Sequence, residues 1–430
     1  MLIDQLCKRR RNRLTITKPF NIPKKLVFLA YQKVKANAGG AGVDKQSLQD
    51  FDKNLENNLY TLWNKLSSGS YFPPPVRIVP IPKKTGGERR LGIPTVGDRI
   101  AQMVAKLVLE PDLEPIFDED SYGYRPKRSA LDAVAITQKR CWKRSWVLEF
   151  DIKGLFDEID HILLMKAVEK HTKNKWILLY TRRWLNAELE EPDGTRKKRT
   201  KGVPQGGVIS PLLANLFLHY AFDSWMRREH SNKEWCRYAD DGLIHCQTKA
   251  DADSLLRALI ERFKECGLEV NSSKTQIVYC NGSRYDIKKY TNRDFVFLGY
   301  LFRDRWTKNP KTGELFLGFN PGVSKEALKS MRQQIRKMNI RNRADMSLNQ
   351  LARKVNPIIR GWVQYYGRFN KSALRPLLRH INLTLISWAM RKYKTLRGKK
   401  TQAAHFIRSI SEREPSLFAH WKAGMTGVFA

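Results

Sequence analysis

The middle of the chain, from about residue 145 to residue 300, alternates short β-forming apolar runs with helical segments. The pattern over 145–152 predicts a strand with Asp151 at its carboxyl end. Residues 235–246 predict a β-hairpin, with the turn supplied by residues 240–242. Strands and helices mixed in this way are typical of an α+β fold.

The C-terminal quarter of the chain has a different pattern, in which apolar residues recur at steps of three and four. This spacing predicts amphipathic helices over 328–338 and 378–388, the second of them following Pro376, which suits a helix start. A third helix is predicted over 348–366, with a bend at Pro357. We therefore expect a helical C-terminal domain.

The charge of the chain points to a polyanionic partner. The 430 residues include 79 Lys and Arg against 42 Asp and Glu, a net charge of +37, while 42% of residues are hydrophobic. Residues 321–430 hold 23 Lys and Arg against 4 acids, a surplus of 19. A chain this apolar folds, and so large a positive surplus indicates binding to nucleic acid or to an anionic membrane. A small-metabolite enzyme with an ordinary surface is disfavoured.

Cysteine spacing and hydropathy bear on the compartment. Six cysteines occur without any C-x-x-C pair, so zinc sites and a disulfide framework lack the spacing they need. Lys or Arg interrupts every apolar run before it reaches the length of a membrane span. The basic run at 8–13 is followed by no apolar segment, so it is not a secretory signal. We predict reduced thiols and a cytoplasmic, prokaryotic protein with no membrane partner.

Three aspartates carry the chemistry that the sequence predicts. Asp151 ends one strand, and Asp240 and Asp241 lie at the tip of the hairpin. An Asp-Asp-Gly turn is weak evidence alone, because hairpins also use it for backbone reasons. Carboxylates forced together repel one another unless a cation neutralises them, and Mg²⁺ prefers oxygen ligands. Two such ions about 4 Å apart would serve nucleotidyl transfer.

Two further segments have a structural and a functional interpretation. Residues 201–211 form a glycine-rich loop, in which Ser210 and Pro211 are predicted to cap and start a helix. The loop is either a simple helix entry or a means of presenting Gln205 to a base or sugar. Residues 81–94 predict a hairpin that turns at 85–87; it is either an ordinary surface hairpin or a cationic clamp for a triphosphate.

The chain resembles reverse transcriptases, and specifically the group II intron reverse transcriptase/maturases of the type that lacks an endonuclease domain. Tyr238-Ala-Asp-Asp241 is similar to the polymerase signature. The other motifs stand in the order expected for the family: 91–94, 98–99, 122–126, 151–157, 202–215, 297–300 and 361–367. Only nine residues follow Trp421, without a His or Cys cluster, so we expect any nick or single-stranded target to be supplied by another agent.

The resemblance implies the site residues. It implies that Asp151, Asp240 and Asp241, with the carbonyl of Ile152, bind two Mg²⁺ ions. The residues implied to surround the incoming dNTP are Lys83 and Arg89 on the triphosphate, Phe156 against a ribose 2′-OH, Gln205 under the new base pair and Lys274 as proton donor to pyrophosphate. Those implied to contact primer or template are Tyr238, Leu298, Gly299, Arg125, Arg360, Trp362 and Tyr365.

The resemblance also implies an α+β right-hand polymerase followed by a helical thumb. The predicted segments are a basic arm (1–22), fingers with an N-terminal extension (23–145), a palm with the catalytic aspartates (146–302), a linker hairpin (303–320), a thumb/maturase domain (321–400) and a basic tail without an endonuclease (401–430).

The function implied is RNA-directed DNA polymerisation, together with binding of intron RNA to promote splicing and mobility. The implied partners are group II intron RNA, an RNA template with its DNA primer, dNTPs and target DNA. The oligomeric state stays open, a dimer included. Two alternatives remain: a domesticated reverse transcriptase of repair or defence, and a splicing maturase with a vestigial polymerase site.

Overall fold

The computed structural model of the protein describes residues 18–82, 87–280, 290–308 and 312–424. The chain divides into two compact units. The first contains residues 1–129, 150–244 and 253–276, and the second contains residues 130–149, 245–252 and 277–430. Among the described residues, no helix has the length and hydropathy that a membrane crossing requires.

The described elements mix helices and strands, which confirms the α+β class. The helices, in chain order, are α1 (Lys24–Ala36), α2 (Leu48–Asp52), α3 (Leu55–Ser68), α4 (Val96–Leu113), α5 (Ala130–Cys141), α6 (Leu155–Glu158), α7 (His161–His171), α8 (Lys175–Leu185), α9 (Ser210–Leu218), α10 (Ser224–Glu229), α11 (Lys249–Glu265), α12 (Lys325–Lys337), α13 (Leu348–Tyr366), α14 (Arg375–Lys392), α15 (Lys400–Arg413) and α16 (Ala419–Lys422). The strands are β1 (Val76–Pro82), β2 (Glu88–Ile93), β3 (Trp146–Asp151), β4 (Leu189–Glu190), β5 (Arg196–Lys197), β6 (Glu234–Tyr238), β7 (Asp241–Cys246), β8 (Gln276–Tyr279), β9 (Phe295–Phe297), β10 (Tyr300–Lys308) and β11 (Leu315–Val323).

One sheet of the first unit has the strand order β2-β1-β4-β5. Strands β1 and β2 pair antiparallel, with Arg77 opposite Ile93 and Pro82 opposite Glu88, which confirms the hairpin predicted over 81–94. Its predicted turn, and with it Lys83, lies outside the described residues except for Gly87.

A second sheet has the order β6-β7-β3-β8 and contains both predicted carboxylate-bearing elements. The strand predicted over 145–152 is β3, and the hairpin predicted over 235–246 is β6 and β7. The position of the hairpin turn was predicted wrongly. The turn consists of Ala239 and Asp240, and Asp241 is already the first residue of β7.

Backbone geometry explains the shifted turn. Ala239 adopts a φ of +57°, the left-handed conformation that two-residue hairpin loops require. Gly242 is therefore not a turn residue, and its small size serves packing instead. A Cβ atom at this position would overlap the ring of Phe150, which lies on β3 beside it.

The second unit contains the C-terminal helices, and all three predicted helices are confirmed as α12, α13 and α14. Helix α13 begins at a capping box, in which the Ser347 hydroxyl accepts from the Gln350 backbone and the Gln350 side chain accepts from Ser347. Pro357 lies inside this helix. The apolar stripes pack into one core that includes Trp388 and Trp421, both buried.

Candidate active site

The first unit brings the three predicted aspartates together. Asp151 is the last residue of β3, Asp240 lies in the hairpin turn, and Asp241 begins β7. The backbone N–H of Ile152 donates to the Asp240 carbonyl oxygen at 3.2 Å, so the end of β3 is joined to the turn. The role of the Ile152 carbonyl as a metal ligand stays a prediction.

Burial and neighbouring carboxylates destabilise the charged forms of Asp240 and Asp241. Burial, followed by the charges of Asp240 and Asp151, raises the pKa of Asp241 to about 7. Burial, followed by the charge of Asp151, also raises the pKa of Asp240. In the absence of a cation the cluster therefore holds a proton near neutral pH.

Asp151 has two polar side-chain partners outside the cluster. The Lys274 ammonium donates to one of its carboxylate oxygens at 2.8 Å, and the Asn271 amide donates to the other at 2.9 Å. The Asn271 backbone N–H donates to the Asp151 carbonyl at 2.8 Å, which holds the loop in place. Although burial opposes it, the bond to Asp151 and the charges of Asp241 and Asp240 raise the pKa of Lys274.

The chemistry of this cluster fits a divalent cation. In the part of the chain that the structure describes, no group of three or more His, Cys, Asp or Glu side chains is arranged ready to hold a metal ion. However, burial and then the charges of Asp240 and Asp151 raise the pKa of Asp241, and the Lys274 ammonium that pairs with Asp151 supplies positive charge to the cluster. Hard oxygen donors that require positive charge are the ligands Mg²⁺ prefers.

Gln205 joins the glycine-rich loop to the β1–β2 hairpin. The Arg89 Nε donates to Gln205 Oε1 at 2.8 Å, and the Gln205 amide donates to Asp157 Oδ2 at 3.3 Å. The Gly92 backbone N–H donates to the Gln205 carbonyl at 2.7 Å. Gly206 has a φ of +120°, and a Cβ there would overlap the Gly92 carbonyl oxygen, so this close approach requires glycine.

Phe156 and Tyr124 pack against each other in the first unit. Their rings lie 6.3 Å apart, edge to face, and Phe156 is only 8% exposed. Burial, followed by the charge of Asp240, raises the pKa of Tyr124, so this phenol lies within electrostatic reach of the carboxylates. The sequence reasoning gave Tyr124 no role, although it lies inside the motif 122–126 that carried the resemblance.

The start of α9 is capped by a residue that the sequence reasoning did not select. Ser210 was predicted as the N-cap, but the N-cap is Ile209 and Ser210 is the first residue of the helix. Gln102 replaces the missing cap, because its Oε1 accepts from the backbone N–H groups of Val208, at 2.7 Å, and Ile209, at 3.3 Å. This distant partner is invisible in local sequence.

Arg125 does not present its charge to a nucleic acid. Its side chain is buried and donates to the Glu114 carboxylate at 2.8 Å and to the carbonyl oxygens of Asp118 and Ser121. The sequence-based prediction of a direct template contact is therefore corrected to a structural role, because the guanidinium is already paired within the protein.

Three of the predicted primer-side residues are brought together within the second unit. The Tyr365 hydroxyl donates to the Leu298 carbonyl at 2.9 Å, and a Cβ on Gly299 would lie 2.8 Å from the Tyr366 hydroxyl oxygen. Trp362 packs against the core of the C-terminal helices. Arg360 is exposed on α13, and Tyr238, in the first unit, is half-buried next to the catalytic turn.

Carboxylates grouped at strand ends within a strongly basic chain are typical of enzymes that transfer nucleotidyl groups along a nucleic acid. Residues 81–302 match the family model described as reverse transcriptase (RNA-dependent DNA polymerase), and residues 328–406 match that of the group II intron maturase-specific domain. The chain therefore belongs to the reverse transcriptase family, in the branch of the group II intron reverse transcriptase/maturases.

Two curated proteins illustrate the relationship. The chain is 33% identical over 309 residues to Protein YkfC of Escherichia coli, a match that covers 62% of this chain and 76% of YkfC. It is 34% identical over 197 residues to the group II intron-encoded protein LtrA of Lactococcus lactis. That match covers 45% of this chain and 32% of LtrA, about a third of its length.

Proposed function

We propose that this reverse transcriptase extends a DNA primer on an RNA template by nucleotidyl transfer assisted by two Mg²⁺ ions. The observation that carries this proposal is the cluster of Asp151, Asp240 and Asp241, in which burial and then mutual repulsion raise the pKa of Asp241 to about 7. These carboxylates, with the Ile152 carbonyl, would hold the two ions. When bound, the ions would activate the primer 3′-hydroxyl and neutralise charge on the triphosphate.

The chain's own residues have distinct tasks in this proposal. Arg89, which Gln205 holds at 2.8 Å, would bind the triphosphate together with Lys83. The Lys274 ammonium, which its bond to Asp151 at 2.8 Å holds beside the carboxylates, would give a proton to the pyrophosphate oxygen. The half-buried Gln205 would support the new base pair.

Discrimination between dNTPs and rNTPs would rest on Phe156. Its ring is buried to 8% exposure and braced edge to face by Tyr124, so it cannot turn aside for an extra hydroxyl group. The Phe156 carbonyl accepts from the Val203 backbone N–H at 2.6 Å, which fixes its backbone as well. A rigid Phe156 ring would exclude a ribose 2′-OH by steric overlap with the hydroxyl group.

The helical C-terminal region would bind the intron RNA. Its outer face has exposed arginines that stand opposite the buried stripes of α12, α13 and α14: Arg336, Arg353, Arg360, Arg375 and Arg379. Few acids offset them, so a phosphate backbone is the partner that their charge favours. In this proposal the same protein uses an RNA template, a DNA primer, dNTPs and target DNA in the cytoplasm of a prokaryote.

The polymerase half of the proposal is tested by primer extension. The wild-type chain should incorporate dNTPs on an RNA template in Mg²⁺, and Asp240→Ala should abolish incorporation. Asp193→Ala changes an exposed aspartate in the turn between β4 and β5 and should leave incorporation intact. A wild-type chain that fails to extend a primer would refute the polymerase activity.

The splicing half is tested with flanked intron RNA at near-physiological Mg²⁺ concentration. The wild-type protein should accelerate splicing, and Asp240→Ala should accelerate it equally, because RNA binding does not need the polymerase carboxylates. Replacing Arg353 and Arg360 together by Ala should weaken RNA binding and reduce its dependence on salt. If splicing does not depend on the protein, the proposed splicing role is refuted and the polymerase activity is not.

A further inference from the structure

Arg237 is a fully buried arginine immediately behind the catalytic turn, and it pairs with a fully buried aspartate. Its Nε donates to Asp223 Oδ1 at 2.7 Å and its Nη2 donates to Asp223 Oδ2 at 2.6 Å. Neither side chain has any solvent exposure. A bidentate pair of this kind fixes both the position and the plane of the guanidinium.

A local irregularity of the helix directs Asp223 towards this arginine. Residues 219–223 form a single π-helical turn between α9 and α10, and Asp223 is its last residue. The turn frees backbone carbonyls, and Arg262 of α11 donates to those of Ala221, at 3.1 Å, and Tyr220, at 3.0 Å. Such π-turns are frequent at functional sites, where they re-aim a side chain.

The remaining guanidinium nitrogen of Arg237 reaches the turn itself. Its Nη1 donates to the Ala239 carbonyl at 3.2 Å and to the Asn215 side-chain oxygen at 3.2 Å. The Asn215 amide donates in turn to the Gly123 carbonyl at 2.7 Å. A Cβ on Gly123 would lie 2.5 Å from the Ala239 nitrogen, so the backbone at Gly123 packs directly against the hairpin turn.

These bonds determine where Asp240 points. The Ala239 carbonyl belongs to the peptide that precedes Asp240, and Arg237 holds that peptide plane. The Asp240 carbonyl belongs to the peptide that follows it, and the Ile152 N–H holds that plane. With both flanking planes fixed, the direction of the Asp240 Cα–Cβ bond is fixed. Ala239 also sits at a φ of +57°, which a non-glycine residue keeps only when its surroundings hold it there.

We infer that Arg237 is a positioning residue for the carboxylate of Asp240, and that Asp223 acts through Arg237. The inference rests on the proposed polymerase function. A pair kept only for stability could be replaced by apolar residues, because breaking one partner of a buried ion pair is costly whereas replacing both is often neutral. A positioning pair could not, because the Ala239 carbonyl would then lose its donor.

The experiment uses the full chain and three variants. Arg237→Lys keeps the charge but loses the planar fork, and the double variant Arg237→Met with Asp223→Leu removes the pair altogether. The matched control is Arg293→Lys, which changes a partly buried arginine–aspartate pair of the second unit, with Asp304, whose side chains are 13% and 17% exposed. Each protein is assayed for melting temperature, affinity for RNA–DNA duplex, and single-turnover dNTP incorporation over a range of dNTP and Mg²⁺ concentrations.

Arg237→Lys should incorporate dNTPs on the order of 10²-fold more slowly, since a misplacement of about 1 Å has this effect. Its duplex affinity and its half-saturating dNTP concentration should change less than about twofold, since uniform binding is untouched. The double variant should melt near the wild-type temperature and remain as slow. The control should keep the wild-type rate.

The outcomes separate the inference from the function on which it rests. An inactive wild-type chain refutes the proposed function. If the wild type is active and either Arg237→Lys or the double variant keeps its rate, the positioning role is refuted. If the double variant does not fold, Arg237→Lys decides alone: a rate within about twofold of wild type overturns the inference, and a loss on the order of 10²-fold supports it.

Discussion

Replacing Asp241 by Asn should stabilise the protein when metal is absent. The pKa of Asp241 is raised from 3.8 to about 7 by burial and by the charges of Asp240 and Asp151. The folded protein therefore binds a proton that the unfolded chain has already released. Stability consequently falls as the pH rises from about 4 to about 7, and it stays low above that range. An amide at position 241 carries no charge and escapes this cost.

The size of the effect follows from the shift. A change from 3.8 to about 7, at about 1.36 kcal/mol for each pKa unit, sets an upper limit of about 4 kcal/mol. Solvent reaches this half-buried carboxylate and reduces the cost, so we expect about 1–2 kcal/mol at pH 8. For units of this size such a gain raises the melting temperature by about 3–6 °C. At pH 5 the gain should be smaller, and near pH 4 it should vanish.

The assay is thermal unfolding of wild type and Asp241→Asn in EDTA at pH 4, 5, 6, 7 and 8. The control is Asp193→Asn, because the Thr195 backbone and hydroxyl donate to that carboxylate and lower the pKa of Asp193. Its substitution should reduce stability slightly at pH 8, which is the opposite sign. If the gain for Asp241→Asn is no larger at pH 8 than at pH 5, the buried charge of Asp241 does not limit the stability of the metal-free protein.

Three further predictions follow from the surroundings of the site. Phe156→Ala should raise rNTP incorporation at least about tenfold relative to dNTP incorporation, whereas Phe156→Tyr should not; equal discrimination in both variants would contradict the steric role. Arg89→Ala should raise the half-saturating dNTP concentration about tenfold or more, whereas Arg90→Ala, which removes an ion pair with Glu191 just after β4, should change it little. Gly242→Ala should cost about 1–3 kcal/mol in urea unfolding, since its methyl group would overlap the ring of Phe150; a neutral result would mean that β3 and β7 can separate freely.

Local patterns predicted the elements of the fold because their signals are local. The periodicity of three and four identified α12, α13 and α14, and the β-forming apolar run before Asp151 identified β3. The hairpin turn was misplaced because Asp-Asp-Gly has the composition of a turn. The glycine is needed for a different reason, which is packing against a neighbouring strand. The ring of Phe150 demands glycine at position 242 within the strand, and no local rule contains that neighbour.

The residues missed in the site share a different cause. Gln102 caps α9 across about a hundred residues of sequence, and Tyr124 approaches Asp240 from another segment. The resemblance implied that Arg125 contacts primer or template, but Glu114 and two carbonyl oxygens already take its donors. Lys83 lies outside the described residues, so its role stays a prediction. Long-range pairing of polar groups is set by the tertiary fold and has no periodicity to reveal it.

The partial burial of the carboxylates balances two opposing demands. With the pKa of Asp241 at about 7, a proton and a divalent cation compete at neutral pH, and the proton weakens cation binding only about twofold. Deeper burial that raised this pKa by a further two units would weaken binding about a hundredfold at pH 7. Greater exposure would relieve the repulsion but would admit water, which weakens every electrostatic interaction with the triphosphate. A site that binds cations at neutral pH therefore requires aspartates that destabilise the fold when no metal is bound.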